Sequence, residues 1–329
     1  MSDIAVIGLG ALNSDYLYKV ERILDDEETM VDEAKLLPGG SAANTIYGLA
    51  KLGVKSGFVG AVGDDVEGEL SIQDLQRVGV DTSQIKIKPG VKTGSVLCLS
   101  NQEGKRSLYV IPSANNLLKI EDLDIAYLNR ARILHISSFA NDRQFKLTLE
   151  LMGKLNPAVK VSFTPGSLYA ARGIEPLAPI LKRTCLLFIN QNELRQLTGH
   201  DITDGAEIFL QHGCRVVAVT LGKGAGLKLC KANGSKEIVA TSYIRDADNE
   251  YAIKPAGKNM SSEIDTTGAG DAFATGFIYG LLKEKNLEVC GRLGDLVARF
   301  SIAETGARQS LPTLNELIKR YREIYSEQL

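Results

Sequence analysis

The second half of the chain alternates between short apolar strands and helical segments, and this alternation restricts the fold more than any other feature. The predicted strands are Ile133–Ile136, Val159–Phe163, Leu186–Ile189 and Val216–Leu221. The predicted helices between them span about 144–155, 191–198 and 204–211. Apolar strands separated by helices favour a mostly parallel sheet with helices on both faces. We therefore predict an α/β fold whose ligands bind at the carboxyl ends of the strands.

A second, smaller sheet is predicted from four extended stretches that lie in two separate parts of the chain. The first pair covers residues 16–24 and 29–37, and the second pair covers 93–100 and 106–111. Each pair is joined by polar or acidic residues typical of a hairpin turn. We infer a four-stranded sheet assembled from these two parts.

The run Asp265-Thr-Thr-Gly-Ala-Gly-Asp271 leads directly into an apolar helical segment. Small residues let the backbone approach a ligand closely, and the first amides of a helix have no partner within that helix. We expect the amides of Gly268, Ala269 and Gly270 to bind an anion. Asp271 would accept a proton from an alcohol during phosphoryl transfer. The alternative is an ordinary tight turn with an acidic N-cap.

Near the N-terminus, two further patterns suit the recognition of a small polar ligand. Gly39 and Gly40 permit close backbone approach, and Asn44 offers both a donor and an acceptor one helical turn later. Asp15 follows the first strand, where it is either a turn residue or an acceptor for substrate hydroxyls.

Two patterns at later strand ends suit a nucleotide. Asn190 and Glu193 are spaced either as a helix cap or as a pair that orders phosphate and Mg²⁺ through water. Thr220 and the glycines from Gly222 to Gly226, among them Gly224, form either a turn or a contact with a nucleotide.

Composition excludes several classes of protein. The 329 residues are 44% hydrophobic and 24% charged with a net charge of −2, so no basic excess indicates nucleic acid. No apolar run has the length of a membrane span, and no signal peptide is evident. We expect a cytoplasmic protein that binds neither nucleic acid nor membrane.

Two other nucleotide-binding motifs are disfavoured. The run GLGALN after the first strand lacks the third glycine of a dinucleotide-binding loop, because position 13 is Asn. A nicotinamide-dependent oxidoreductase therefore remains a distant alternative. The run GLAKLGVKS between residues 48 and 56 has the wrong spacing for a P-loop.

The string DTTGAGDAF resembles the C-terminal signature of the PfkB/ribokinase family of sugar and nucleoside kinases. The resemblance implies a ribokinase-like, three-layer αβα core with a small β-sheet lid. The core would comprise residues 1–14, 38–91 and 112–329, and the lid residues 15–37 and 92–111. The resemblance also implies ATP and Mg²⁺, and it allows a homodimer through the lid.

Family roles can be carried over where this sequence matches the family motifs. The residues implied to bind substrate are Asp15, Gly39, Gly40 and Asn44. Those implied for the nucleotide and Mg²⁺ are Asn190, Glu193, Thr220 and Gly222, and those implied for the anion hole and base are Gly268, Ala269, Gly270 and Asp271. In potassium-activated members the cation would be surrounded by Asp265, Thr267, Ala303, Gly306 and Ser310.

Two departures bear on the substrate. Ribokinase proper has a Lys where Ser41 stands and a Glu where Ser137 and Ser138 stand, which argues against ribose. Ser41 also argues against a phosphorylated substrate. We predict an ATP-dependent kinase acting on a primary hydroxyl of a sugar or nucleoside. The alternatives are an adenosine-like nucleoside kinase, or a ligand-binding relative that has lost turnover.

Overall fold

In the computed structural model, the described residues are 4–24, 27–31, 33–101, 106–231, 234–255 and 265–329. The strands are β1 (Ile4–Leu9), β2 (Asn13–Lys19), β3 (Glu33–Gly39), β4 (Ser56–Gly63), β5 (Asp81–Lys88), β6 (Gly94–Ser100), β7 (Arg106–Ile111), β8 (Ala131–Ser137), β9 (Lys160–Thr164), β10 (Thr184–Asn190), β11 (Val216–Lys231), β12 (Gly234–Arg245) and β13 (Glu250–Ile253). The helices are α1 (Ser41–Lys51), α2 (Val66–Arg77), α3 (Ile125–Leu128), α4 (Asp142–Lys154), α5 (Gly166–Ala170), α6 (Ile174–Leu181), α7 (Gln191–Thr198), α8 (Ile202–Gln211), α9 (Ala269–Leu282), α10 (Leu287–Ser301) and α11 (Leu314–Tyr325). Two short 3-10 helices lie between β7 and α3.

The large sheet has nine strands in the order β13-β12-β11-β10-β9-β8-β1-β4-β5. Seven of them run parallel, and β12 and β13 pair antiparallel at one edge. The predicted α/β fold with a mostly parallel sheet is therefore confirmed. Strands β5, β12 and β13 were not predicted from the sequence.

Helices cover both faces of this sheet, as neighbouring residues of single strands show. On β1, Val6 belongs to one buried apolar cluster and Ile7 to the other, and on β8 Ile133 and Leu134 divide in the same way. Successive side chains of a strand point to opposite faces, so both faces are packed against helices. The three-layer arrangement follows from this packing.

The small sheet has four strands in the order β3-β2-β6-β7. It joins two separate parts of the chain, as predicted, through the parallel pairing of β2 with β6. Asn115 fixes the start of β2, because its side chain donates to the Leu12 carbonyl at 3.0 Å and to Asn13 Oδ1 at 2.9 Å. The division of the chain into a core and a lid domain at residues 15–37 and 92–111 stays a prediction.

Within the described ranges, no helix combines the length and the apolar character needed to cross a bilayer.

Candidate functional site

The carboxylate of Asp271 is held by two donors from another helix. Asp271 is half-buried in the first turn of α9. Ser41 Oγ donates to its Oδ1 at 2.7 Å, and Asn44 Nδ2 donates to its Oδ2 at 2.8 Å. Its backbone carbonyl accepts from Thr275 Oγ1 at 2.9 Å. The start of α1 thus orients the acid that the sequence singles out at the start of α9.

The loop before α9 is shaped by glycine. Gly268 has φ 76°, and a methyl group there would lie 2.4 Å from Ala307 Cβ. Only glycine fits that conformation and that contact without strain. Gly270 is exposed, and a methyl group there would meet nothing within 4 Å. The amide of Ala269 donates to the Thr266 carbonyl at 3.3 Å, so in this structure it is engaged within its own loop.

Asp15 lies on β2 against the glycine pair that precedes α1. A methyl group at Gly39 would lie 2.1 Å from Asp15 Oδ2, and one at Gly40, whose φ is 105°, would lie 2.1 Å from the Ala11 carbonyl oxygen. The glycines therefore let this carboxylate approach the backbone. Within the described residues, Asp15 Oδ1 is shielded from solvent and has no hydrogen-bond partner.

The pKa of Asp15 is raised from its ordinary value to about 7, chiefly because the carboxyl group is buried. The charge of Arg308 opposes this increase, and the charge of Asp271 contributes to it. Burial also raises the pKa of Glu193, and Asp271 again adds to the increase. Asp271 thus lies within electrostatic reach of both acids.

Arg308 connects the C-terminal loop to this cluster, although it was not predicted as a site residue. Its side chain is only 3% exposed. Nε donates to Asn44 Oδ1 at 2.8 Å, and Nη2 donates to the Gly39 carbonyl at 3.1 Å. Nη1 pairs with Asp74 Oδ2 on α2 at 2.7 Å. Arg308 is isolated in a loop of small residues, so nothing local in the sequence indicates this role.

At the end of β10, Asn190 and Glu193 form the helix cap that their spacing allows. Asn190 Oδ1 accepts from the Glu193 amide at 2.9 Å, and Glu193 Oε2 accepts from the Asn190 amide at 3.3 Å. Asn190 is paired in register with Thr220 on β11. These three residues of the predicted nucleotide site therefore lie at neighbouring strand ends.

The glycine run after Thr220 bulges out of the sheet. The register between β11 and β12 shifts between Thr220 and Ala225. Gly222 has φ 59° and Gly224 has φ 115°, conformations that favour glycine. Gly222 is exposed in this bulge, two residues after Thr220, the register partner of Asn190, where the sequence predicts a nucleotide contact.

Asp265 joins the loop before α9 to the loop after α10. Its Oδ1 accepts from the Thr267 amide at 2.8 Å, and its Oδ2 accepts from the Gly306 amide at 2.9 Å. In the same loop, Ser310 Oγ donates to the Ser301 carbonyl at 3.1 Å, and the Ala303 amide donates to the Phe300 carbonyl at 3.2 Å. The residues that the family resemblance assigns to a monovalent cation thus lie on two loops that Asp265 holds together.

Comparisons with known proteins match this chain over almost its full length. The model of the pfkB family carbohydrate kinases matches residues 1–314. An uncharacterized sugar kinase of Archaeoglobus fulgidus is 33% identical over 80% of this chain and 98% of its own length. A nucleoside kinase of Methanocaldococcus jannaschii is 28% identical over 97% of both chains.

The crystal structure of a ribokinase from Thermotoga maritima agrees with the fold. It superposes with a TM-score of 0.79 at 25% identity, covering 97% of this chain and 99% of its own. The named relatives are kinases, and the chain is a phosphotransferase that acts on an alcohol group. The chain therefore belongs to the pfkB family of carbohydrate kinases.

Proposed function

We propose that the chain transfers the γ-phosphoryl group of ATP to a primary hydroxyl of a sugar or nucleoside, with Asp271 as the base. One observation carries this proposal. Asp271 is oriented by donors from α1, where substrate contacts are expected, and its charge acts on Glu193, where nucleotide contacts are expected. An acid at that junction would act on an acceptor hydroxyl while the phosphoryl donor binds on its other side.

In the proposed step, the substrate hydroxyl oxygen forms a bond to the γ-phosphorus as the bond to the β–γ bridging oxygen breaks. ADP leaves with that oxygen, and the hydroxyl proton passes to a carboxylate oxygen of Asp271. The backbone around Gly270 would stabilise charge on the transferring group, because amides at a helix start favour an anion. Positioning and electrostatics supply most of the catalysis in such transfers.

Asp15 supplies a hydroxyl-binding group for the substrate. Its Oδ1 is a shielded acceptor without a partner in the described residues, and such a group costs free energy unless a donor reaches it. A substrate hydroxyl would be that donor. Gly39 lies against Asp15 and Asn44 donates to Asp271, so these two residues and Gly40 would bind the substrate from the same side.

The residues present fit Mg²⁺ that is held chiefly by phosphate and water. Within the described part of the chain, no group of three or more His, Cys, Asp or Glu side chains could hold a metal ion. Magnesium in phosphoryl-transfer sites usually keeps several waters and takes one or two carboxylates. Glu193, a half-buried acid whose pKa is raised by burial, is the carboxylate that would order those waters.

A monovalent cation at the Asp265 loops is part of the proposal as well. Each Asp265 oxygen accepts one backbone amide and retains a further lone pair. The carbonyl groups of Thr267, Ala303 and Gly306 and the oxygens of Ser310 are the other ligands that the family resemblance supplies. K⁺ would neutralise Asp265 beside the phosphoryl-binding loop.

A nucleoside is the second candidate substrate, and the small sheet favours it. Leu37 and Val96 are the cross-strand neighbours of Asp15, so they share its face of the sheet. An apolar wall beside a hydroxyl-binding acid suits a molecule with both a sugar and an apolar ring. A nucleoside base would lie on this wall while Asp15 binds the ribose hydroxyls.

The test is an ADP-release assay over a panel of sugars and nucleosides with ATP, Mg²⁺ and K⁺, comparing the wild type with Asp271→Asn. Losing a general base should lower kcat by about 10²–10⁴-fold. Equal turnover in the two proteins would refute the role of Asp271. Ligand binding by calorimetry without ADP release would instead support a relative that has lost catalysis.

A further inference from the structure

Arg308 is a buried cation whose contacts reach three other segments of the chain. Its guanidinium group touches Asp74 on α2, the carbonyl of Gly39 before α1, and Asn44 within α1. The group also lies over the ring of Tyr47, 5.4 Å from the ring centroid. Each of the three guanidinium nitrogens therefore has a hydrogen-bond partner, which fixes the plane of the group.

The side-chain amide of Asn44 is held between this cation and the carboxylate of Asp271. Its oxygen accepts from Arg308 Nε at 2.8 Å, and its nitrogen donates to Asp271 Oδ2 at 2.8 Å. Arginine can only donate, and an ionised carboxylate can only accept. The opposite orientation of the amide would place two donors together at Arg308 and two acceptors together at Asp271. The chemistry of the two neighbours thus selects one orientation of Asn44.

We infer that Arg308 is a positioning residue for phosphoryl transfer, which acts through Asn44 to hold the Asp271 carboxylate in place. This inference rests on the proposed function of Asp271. Without the Nε contact, the amide of Asn44 loses one of its two anchors, so its nitrogen is no longer held in line with Asp271 Oδ2. One of the two donors that α1 provides to the carboxylate is then loosened, while Ser41 still holds the other oxygen.

Asp74 provides a control for this inference. It pairs with Nη1 of Arg308, whereas Asn44 is bound through Nε, so the two contacts can be removed separately. Asp74→Asn removes the ion pair but leaves a side chain of the same shape and an acceptor oxygen. Arg308→Lys keeps the charge for Asp74 but lacks the planar fork that reaches several partners at once.

The experiment measures kcat and KM for the best substrate of the panel in Arg308→Lys, in Asn44→Ala and in the double variant. Arg308→Lys should lower kcat by about tenfold to a hundredfold, the usual effect of losing a hydrogen bond from a charged donor. In the Asn44→Ala background the same change should cost less than about twofold, because the contact is already lost. Asp74→Asn should lower kcat by no more than about threefold.

Three results would overturn the inference. They are wild-type kcat in Arg308→Lys, an equal loss in both backgrounds, and a loss in Asp74→Asn as large as that in Arg308→Lys. Melting curves check that each variant is folded, and Arg308→Gln replaces Arg308→Lys if the latter does not fold.

A wild type without turnover would refute the proposed function instead of this inference. In that case NMR would show whether Arg308 contacts Asn44. The signals of the Asn44 side-chain amide, which are identified by their loss in Asn44→Ala, should shift in Arg308→Lys.

Discussion

Replacing Asp15 with Asn should stabilise the protein above pH 7 while weakening its substrate binding. Burial raises the pKa of Asp15 from 3.8 to about 7 in the folded protein, so between these values the folded state keeps a proton that the unfolded chain has lost. Stability linked to this proton is present below pH 3.8 and is lost as the pH rises towards 7. Above pH 7 the folded protein carries an ionised, poorly solvated carboxylate, which asparagine removes.

The expected gain follows from the size of that pKa change. Each pKa unit corresponds to about 1.4 kcal/mol, so the interval from 3.8 to about 7 sets a ceiling of about 4 kcal/mol. The side chain is half-buried and water can reach part of it, so we expect about 1–2 kcal/mol at pH 8. In a chain of this size that gain raises the melting temperature by about 1.5–3 °C. Near pH 4 the gain should vanish.

The assay is thermal unfolding of Asp15→Asn and the wild type at pH 4, 6 and 8, with Asp248→Asn as the control. Asp248 is exposed in the turn before β13, and its replacement changes the net charge by the same amount. A gain in stability that does not grow from pH 4 to pH 8, or that Asp248→Asn reproduces, would refute the reasoning.

Kinetics supply a second readout. In the wild type, KM for the sugar or nucleoside should fall as the pH rises through 7, because the ionised carboxylate of Asp15 accepts substrate hydroxyls. In Asp15→Asn, KM should be higher and nearly independent of pH in this range.

Two further predictions concern the nucleotide site and the assembly. Gly224→Ala should raise KM for ATP about tenfold at an unchanged KM for the acceptor, because φ 115° is strained for alanine and the new methyl group would lie 3.2 Å from Val239 Cγ1. The control is Gly53→Ala, at φ 80° in open space, which should lower stability by about 1 kcal/mol without changing KM for ATP. Equal KM values for ATP in the two variants would contradict the prediction. On the edge strand β7, the apolar side chains Tyr109 and Ile111 are each 56% exposed, so we expect the protein to form a homodimer through the small sheet. Replacing both residues with Glu should convert the dimer to monomers, and sedimentation of the wild type as a monomer at assay concentration would contradict the prediction.

The apolar strands from 133 to 221 were predictable because each is a local apolar run and helices lie between them. Helix α7 was predicted with its observed limits, since Asn190 and Glu193 cap it and Gly199 ends it in a left-handed conformation. By contrast, β5 lies at one edge of the sheet and reads Asp-Thr-Ser-Gln-Ile-Lys-Ile-Lys, which has no buried run to mark it. Edge strands need only one partner, so their sequences carry a weaker signal.

The sequence by itself determined the α/β class, the small sheet built from two segments, and the glycine-rich loop that leads to Asp271. Those features depend on periodicity and on residues close together in the chain. Only the tertiary structure decided which groups meet Asp271, because Asn44 lies 227 residues before it. Arg308 is 264 residues from Asn44, and its role depends on the docking of the C-terminal loop against α1 and α2. Hydrogen bonds over such separations leave no local pattern, since the packing of the whole core sets their geometry.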